Sequence, residues 1–296
     1  MAQTRSMTPY HIKRNVGRFV IHAILFTLGM ACLLPLIIIV SASFSNELDI
    51  ARYGYTLIPL HFTTQAYDYL LKVPVQIMRA YGVTIFVTVV GTAISLFIMS
   101  LMAYVLSRRD TPFRKALSFF VFFTMLFNGG LVPFYIWITQ GLHLQDSIWV
   151  LILPYLFVPW FVLLLRTYFA SLPEEIFDSA KVDGAGEWRV FFQFVVPLST
   201  PSLATVGLFC ILQYWNDWWL ALLFINKQEL QPLQYMLQSI MTNSRAIMAN
   251  PQTTGIPLPL NTVRMAMAVL ATGPAALAFL LLQRYFLQGL TLGALK

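Results

Sequence analysis

Six stretches of the chain run almost without polar interruption: 19–40, 83–106, 117–139, 147–169, 198–224 and 262–286. Each exceeds the ~20 residues that a helix needs to cross the hydrocarbon core of a bilayer. Only helices and closed barrels satisfy their own backbone in lipid. Barrel strands alternate apolar and polar positions over ~10 residues, whereas these stretches are apolar on every side. The pattern predicts an all-α integral membrane protein with six transmembrane helices. The first stretch, with basic residues before it and Ser41-Ala42-Ser43 after it, imitates a signal peptide. Its apolar core exceeds the ~7–15 residues of a signal h-region, and it reads as a retained helix.

Composition agrees. Of 296 residues, 58% are hydrophobic and 10% charged, where a soluble domain carries about 25% charged residues. Mean hydropathy is +0.71. A soluble enzyme, a disordered chain and a nucleic-acid binder are excluded, and membrane lipid is the expected surrounding. The net charge of +7 then records topology. Thirteen of the 19 Lys and Arg residues fall on one side of the six stretches, and the positive-inside rule makes that side, with both termini, cytoplasmic. The division is a tail at 1–18, a transmembrane domain at 19–286 and a tail at 287–296. Cys32 and Cys210 lie inside apolar stretches and read as packed thiols. The four histidines, 11, 22, 61 and 143, are scattered, so no metal site is expected.

Two outer connections hold short helices. Thr64 is placed to cap a helix through Leu71. Pro232 suits a helix start, and Leu233, Met236, Leu237, Ile240 and Met241 repeat at helical spacing. That stripe either packs on its own protein or docks an external partner. The cytoplasmic connection 171–197 is richer. Ser171-Leu172-Pro173-Glu174 reads as a capping box. The helix it opens ends near Gly184, and a second helix follows with Trp188, Phe191, Phe192 and Val195 on one face. Two short helices around a glycine turn can grip a cytoplasmic partner or lie on the membrane surface.

Asp178-Ser179-Ala180, three residues, Gly184, nine residues, then Phe194-Val195-Val196-Pro197 resembles the Glu-Ala-Ala…Gly…Ile-x-Leu-Pro signature of ABC importer membrane subunits. Trp215-Asn216-Asp217-Trp218 and Gln283-Arg284-Tyr285-Phe286…Gly289-Leu290-Thr291 resemble the maltose-type carbohydrate permeases. Asn128-Gly129-Gly130-Leu131-Val132-Pro133 and Pro232-Leu233-Gln234 are similar to a subgroup serving oligo- and polysaccharides, acidic ones such as alginate included. The resemblance implies a permease subunit in a bacterial inner membrane, with a coupling helix that fits a groove on an ATPase. Glu175, Asp178, Ser179, Ala180, Asp183 and Gly184 are the implied coupling residues. It also implies two ATPase subunits, a second, non-identical permease and an extracytoplasmic solute-binding protein. The chain has no Gly-x4-Gly-Lys-Ser/Thr and so no P-loop. No cofactor is expected in it, ATP and Mg being bound by the partner, and it is not expected to be an enzyme.

A solute path should show as polar groups in an apolar helix. In the fifth stretch Gln213, Asn216 and Asp217 share one helical face, with Tyr214 beside it and Trp215, Trp218 and Trp219 opposite. These four non-tryptophan residues are the candidate pathway. Hydrogen bonding between helices is the competing role for the polar face, and interface anchoring or packing the role read for the tryptophans. Asp217, the one acid inside a stretch, would repel an acidic solute unless paired, with Arg264 a conceivable partner. An ion-coupled secondary sugar transporter is the alternative function. It predicts more intramembrane carboxylates or repeated broken helices.

Overall fold

The computed structural model describes residues 9–71, 74–249 and 260–293. Helices dominate them. No strand occurs among the described residues, and the one β-bridge pairs Ser45 with Phe62. In order, the helices are α1 (Pro9–Ser43), α2 (Glu47–Tyr53), α3 (Gln65–Leu70), α4 (Pro74–Ser107), α5 (Arg114–Leu126), α6 (Leu131–Ile136) and α7 (Pro159–Phe169). Then come α8 (Glu174–Val182), α9 (Glu187–Val190), α10 (Val196–Leu198), α11 (Thr200–Asn216), α12 (Trp219–Phe224), α13 (Leu233–Ala249) and α14 (Leu260–Gly293).

Of the six expected spans, two are single long helices, and the breaks signalled by Asn128-Gly129-Gly130, Pro154 and Pro159 are present. Val20–Ser43 and Pro74–Ser107 are each long and apolar enough to cross a membrane as single helices. The second starts well before residue 83 because Pro74 is pre-organised for a first helical turn and nothing in 75–82 breaks it. Two further stretches qualify only as bent pairs, and a third bent pair joins Glu187–Leu198 of the 171–197 connection to Thr200–Asn216. The third bends by 108° between α5 and α6, at Asn128-Gly129-Gly130, where Gly130 has φ +88°. The fourth bends by 48° between two 3-10 turns (Ile148–Leu151 and Leu153–Tyr155) and α7. Pro154 removes an amide donor there, and Pro159 opens the next helix. The chain also turns by 82° on entering α11, and α11 itself stops at Asn216. The sixth stretch lies within α14, which holds Pro274.

The chain divides into two compact units. The first comprises residues 1–72 and 251–270. Along α1 the apolar side chains from Val20 to Val40 are mostly exposed, Phe26 at 71%, which suits a helix facing lipid. Cys32 is exposed with them, contrary to the packed thiol expected. Beyond α1, Phe44 stacks on Phe62 and touches Tyr67, whose hydroxyl meets Ser43 Oγ at 2.9 Å. Thr64 occupies the position before α3, yet its side chain bonds Asp68 and not a backbone amide. Thr63 Oγ1 accepts from the Gln65 amide instead. Glu47 reaches the start of α14. One carboxylate oxygen accepts from Asn261 N and Nδ2 at 3.0 and 2.8 Å, the other from Thr262 N and Oγ1, both at 2.9 Å. These amides belong to the first turn, where donors lack intrahelical partners and negative charge is favoured.

The second unit comprises residues 73–250 and 271–296. Here α4 packs along α7 and α11. One core joins Met99 and Leu106 of α4, Leu165 and Phe169 of α7, and Val206 and Cys210 of α11. A second gathers Val87, Ile152, Tyr214, Leu220 and Phe224. Tyr214 lies so close to Gly91 that a Cβ there would come within 2.7 Å of its ring. A small residue is what lets two membrane helices approach this closely. The stripe on α13 turns inward, with Leu233 and Met236 buried, and the Leu233 amide donates to Thr84 Oγ1 of α4 at 2.9 Å. The first turn of the stripe thus packs on its own protein, while Leu237, Ile240 and Met241 are half-buried.

Replacing Glu47 by Ala removes the cap of α14 and is expected to destabilise the protein by about 2 kcal/mol. A thermal melt in detergent checks this, with a lowered Tm for Glu47→Ala and a smaller shift for Glu47→Gln.

Candidate functional site

The connection between α7 and α11 is built into the protein's core on one side and open on the other. α8 is amphipathic: Phe177 and Ala180 point inward and belong to the core of α4, α7 and α11. Glu175, Asp178, Ser179, Val182, Asp183 and Gly184 are exposed, Val182 at 88%. Five of the six coupling residues expected from the sequence thus share the open side. The sixth, Ala180, is buried at 3% exposure, so its part is to seat the helix and not to meet a partner.

Glycine at 184 is demanded by geometry. Its φ is +71°, and the two bonds that close the helix are both present. Gly184 N donates to Lys181 O at 3.0 Å and Ala185 N to Ala180 O at 2.9 Å, the paired arrangement of a Schellman end. The capping box is not formed. Ser171 Oγ turns back to Tyr168 O, and α8 starts at Glu174 after Pro173, with no side-chain cap. A box needs its serine directly before the first helical residue, and here Ser171 lies too far upstream. The Glu174 carboxylate goes to Arg109 Nε, 2.9 Å away.

The second short helix also departs from its expected face. Val190, Phe191 and Val195 are buried, whereas Trp188 and Phe192 are exposed at 63% and 50%. The π-helical turn Phe191–Val195 shifts the register and separates the aromatics. Trp188 and Phe192 stack on one another outside, their ring centroids 6.0 Å apart.

The end of α4 clamps this loop, a role with no signal in the sequence, where its charges register only as topology. The Tyr104 hydroxyl donates to the Glu187 carboxylate, and Arg108 lies over the Phe177 ring, 4.4 Å from its centroid. Asp110 receives Lys181 Nζ at 2.7 Å and Arg108 Nη2 at 3.3 Å. The Lys181 hydrogen bond holds the Asp110 carboxyl below its ordinary range. The exposed ion pairs contribute ~0–1 kcal/mol each. Burial of Phe177 stabilises the loop more, by about 1.5–3 kcal/mol.

The pathway candidates do not form the single stripe expected. α11 ends at Asn216, and Asp217 is extended at φ −74°, ψ 120°. Asn and Asp compete with helical hydrogen bonds through their own side chains, and Asp217 does so here. Its carboxylate accepts from Leu220 N of α12 at 3.3 Å and from the Tyr155 hydroxyl at 2.9 Å. Tyr155 is therefore the donor that the structure gives it, a partner with no signal in the sequence. Tyr214 is 3% exposed, and its hydroxyl bridges Ser95 Oγ at 2.8 Å and Ile152 O at 3.0 Å. It is a packing residue. Gln213 is half-buried, and Asn216 is exposed with its Oδ1 accepting from Gln234 Nε2 at 3.3 Å. Gln234, one residue of the Pro232-Leu233-Gln234 motif, joins the polar group. Trp215 is buried, its indole donating to Ala271 O at 2.9 Å, so packing is its role. Asp146 is a further residue without a sequence signal. At φ +56° it accepts the Asn226 and Lys227 amides at 2.5 and 3.0 Å, which hold its carboxyl below the ordinary range. No cluster of three metal-ligating side chains occurs among the described residues.

Residues 107–292 match the family described as binding-protein-dependent transport system inner membrane component. The chain is 37% identical to the Bacillus subtilis (strain 168) polygalacturonan/rhamnogalacturonan transport system permease protein YtcP, covering 96% of this chain and all of that one. It is also 37% identical to Protein LplC of the same organism, over 90% of each chain. Among solved structures, a bacterial ABC transporter involved in import of the acidic polysaccharide alginate matches with a TM-score of 0.80 at 26% identity, covering 96% of this chain and all of its own. The chain belongs to the inner-membrane components of binding-protein-dependent transport systems: it is a permease subunit of the ABC importer class.

Proposed function

We propose that this permease carries oligo- or polysaccharide across a bacterial inner membrane, acidic polysaccharide such as alginate being the first substrate to test. It has six membrane-crossing segments, the third and fourth bent and the fifth interrupted at Asp217, with both termini in the cytoplasm. Two copies of an ATPase bind the ATP and Mg that drive transport, and an extracytoplasmic binding protein delivers the solute. A second, non-identical permease completes the path. The observation that carries this reading is the two-sided coupling loop. Its inner side is part of the core that joins α4, α7 and α11, and its outer side offers Asp178, Ser179, Val182, Asp183 and the Trp188–Phe192 pair. A loop that only rested on lipid would not need its acidic edge. The names of the relatives favour a carbohydrate substrate, and family membership weighs against an ion-coupled secondary transporter.

The test is ATP-driven uptake by the complex in proteoliposomes. Gly184→Val forces a left-handed backbone on a β-branched residue, costing about 1–2 kcal/mol, and opens the end of α8. Combined with Asp178→Ala, it is expected to lower uptake at least tenfold while the permease still folds. Unchanged uptake and unchanged ATPase recovery would remove the coupling assignment. Full uptake after ion gradients are collapsed is expected; loss of uptake would favour the ion-coupled alternative.

For the pathway, the reading rests on the half-buried Gln213 and the exposed Asn216–Gln234 contact. The Gln213→Ala, Asn216→Ala double variant is expected to change the ranking of competing glycans in an uptake assay. If both rate and ranking stay as in the unmodified importer, those residues do not line the path.

A further inference from the structure

Beside the coupling loop is a cavity of about 680 Å³ at the start of α5. Arg109, Arg114, Lys115 and Arg166 line it, and no acidic residue does; of the four, Arg109 is already paired with Glu174. Among the described residues, no carboxylate lies within ion-pair distance of Arg114, Lys115 or Arg166. Arg114 spends only its Nε, on Leu106 O at 2.9 Å.

The backbone adds to the imbalance. Arg114 and Lys115 are the first two residues of α5, and the helix has neither a side-chain cap nor an acid in its first turn. Cations are disfavoured there because the free amides already make that end positive. One turn on, Ser118 Oγ is buried without a hydrogen-bond partner and lines the same cavity. Like charges and unpaired donors converging in one concavity cost free energy, and an anion with several acceptor oxygens relieves all of them together.

The surroundings indicate what carries the anion. Phe113, also on the cavity wall, is 82% exposed and held at φ +58°, a strained conformation for a bulky residue. Directly after Ser118 along α5, Phe119 and Phe120 are 66% and 65% exposed. A charged pocket beside an exposed apolar wall matches an amphiphile with a phosphate head. Basic pockets at the cytoplasmic ends of membrane helices suit anionic lipid headgroups.

We propose that this cavity binds the phosphate of an anionic phospholipid whose acyl chains run along the exposed phenylalanines of α5. The proposal rests on the reading that this end of α5 lies at the cytoplasmic membrane surface. Native mass spectrometry of the purified importer complex, titrated with phosphatidylglycerol, phosphatidylcholine or inorganic phosphate, tests it. Phosphatidylglycerol should be retained at about tenfold lower concentration than phosphatidylcholine. Lys115→Gln with Arg166→Gln should abolish that preference, and Lys115→Arg with Arg166→Lys should keep it, which separates charge from folding. Equal retention of the two lipids, or an undiminished preference in the Gln pair, overturns the proposal. So does displacement of phosphatidylglycerol by an equal concentration of inorganic phosphate, which would assign the site to a soluble ion. ATPase recovered in the same samples reports on the permease assignment independently of the lipid preference.

Discussion

Phe177 and Ala180 bury the inner side of α8 in the core that joins α4, α7 and α11, and the proposed coupling role depends on that contact. Protein interiors are close-packed and transmit displacement with little compression. A push on the exposed edge of α8 therefore passes directly to three helices, one of which, α11, ends at the candidate path. The clamp from α4 (Tyr104 on Glu187, Arg108 over Phe177) opposes independent movement of the loop.

At the other end of α11 a second constraint operates. A carboxylate and several hydroxyls sit among apolar helices, where unpaired polar groups are expensive. The structure meets this locally: Tyr155 and the Leu220 amide take Asp217, and Ser95 and Ile152 O take Tyr214. With its carboxylate so engaged, Asp217 presents less bare charge to an acidic solute than the sequence suggests. Gln213, Asn216 and Gln234 keep the capacity to bond hydroxyls.

The apolar pattern made the two long spans within 20–43 and 74–107 legible because lipid imposes a length and a composition. It also made Gly184 legible, since a helix end followed by a sharp turn favours a residue without Cβ. The breaks were less visible. Asn128-Gly129-Gly130 signalled one, whereas the stop at Asn216 gave no signal, and the Tyr155 hydroxyl that meets Asp217 comes from 62 residues away. Local spacing assigned Ser171 to a cap and placed Trp188 with Phe191. Both failed where local geometry intervened, through Pro173 in one case and a π-helical turn in the other. The clamp at the end of α4 was hidden for a different reason. Arg108 and Arg109 read as topology charges, Asp110 carried no signal, and only the fold brings them to α8.

The most direct test of the coupling claim is the reactivity of a Val182→Cys variant, with Cys32 and Cys210 replaced by Ala. Val182 is 88% exposed in the chain alone. Maleimide labelling of the assembled importer should be strongly slowed at this position and restored when the ATPase subunits are stripped away. Equal labelling with and without the ATPase would contradict the coupling role, because the open side of α8 would then meet no partner.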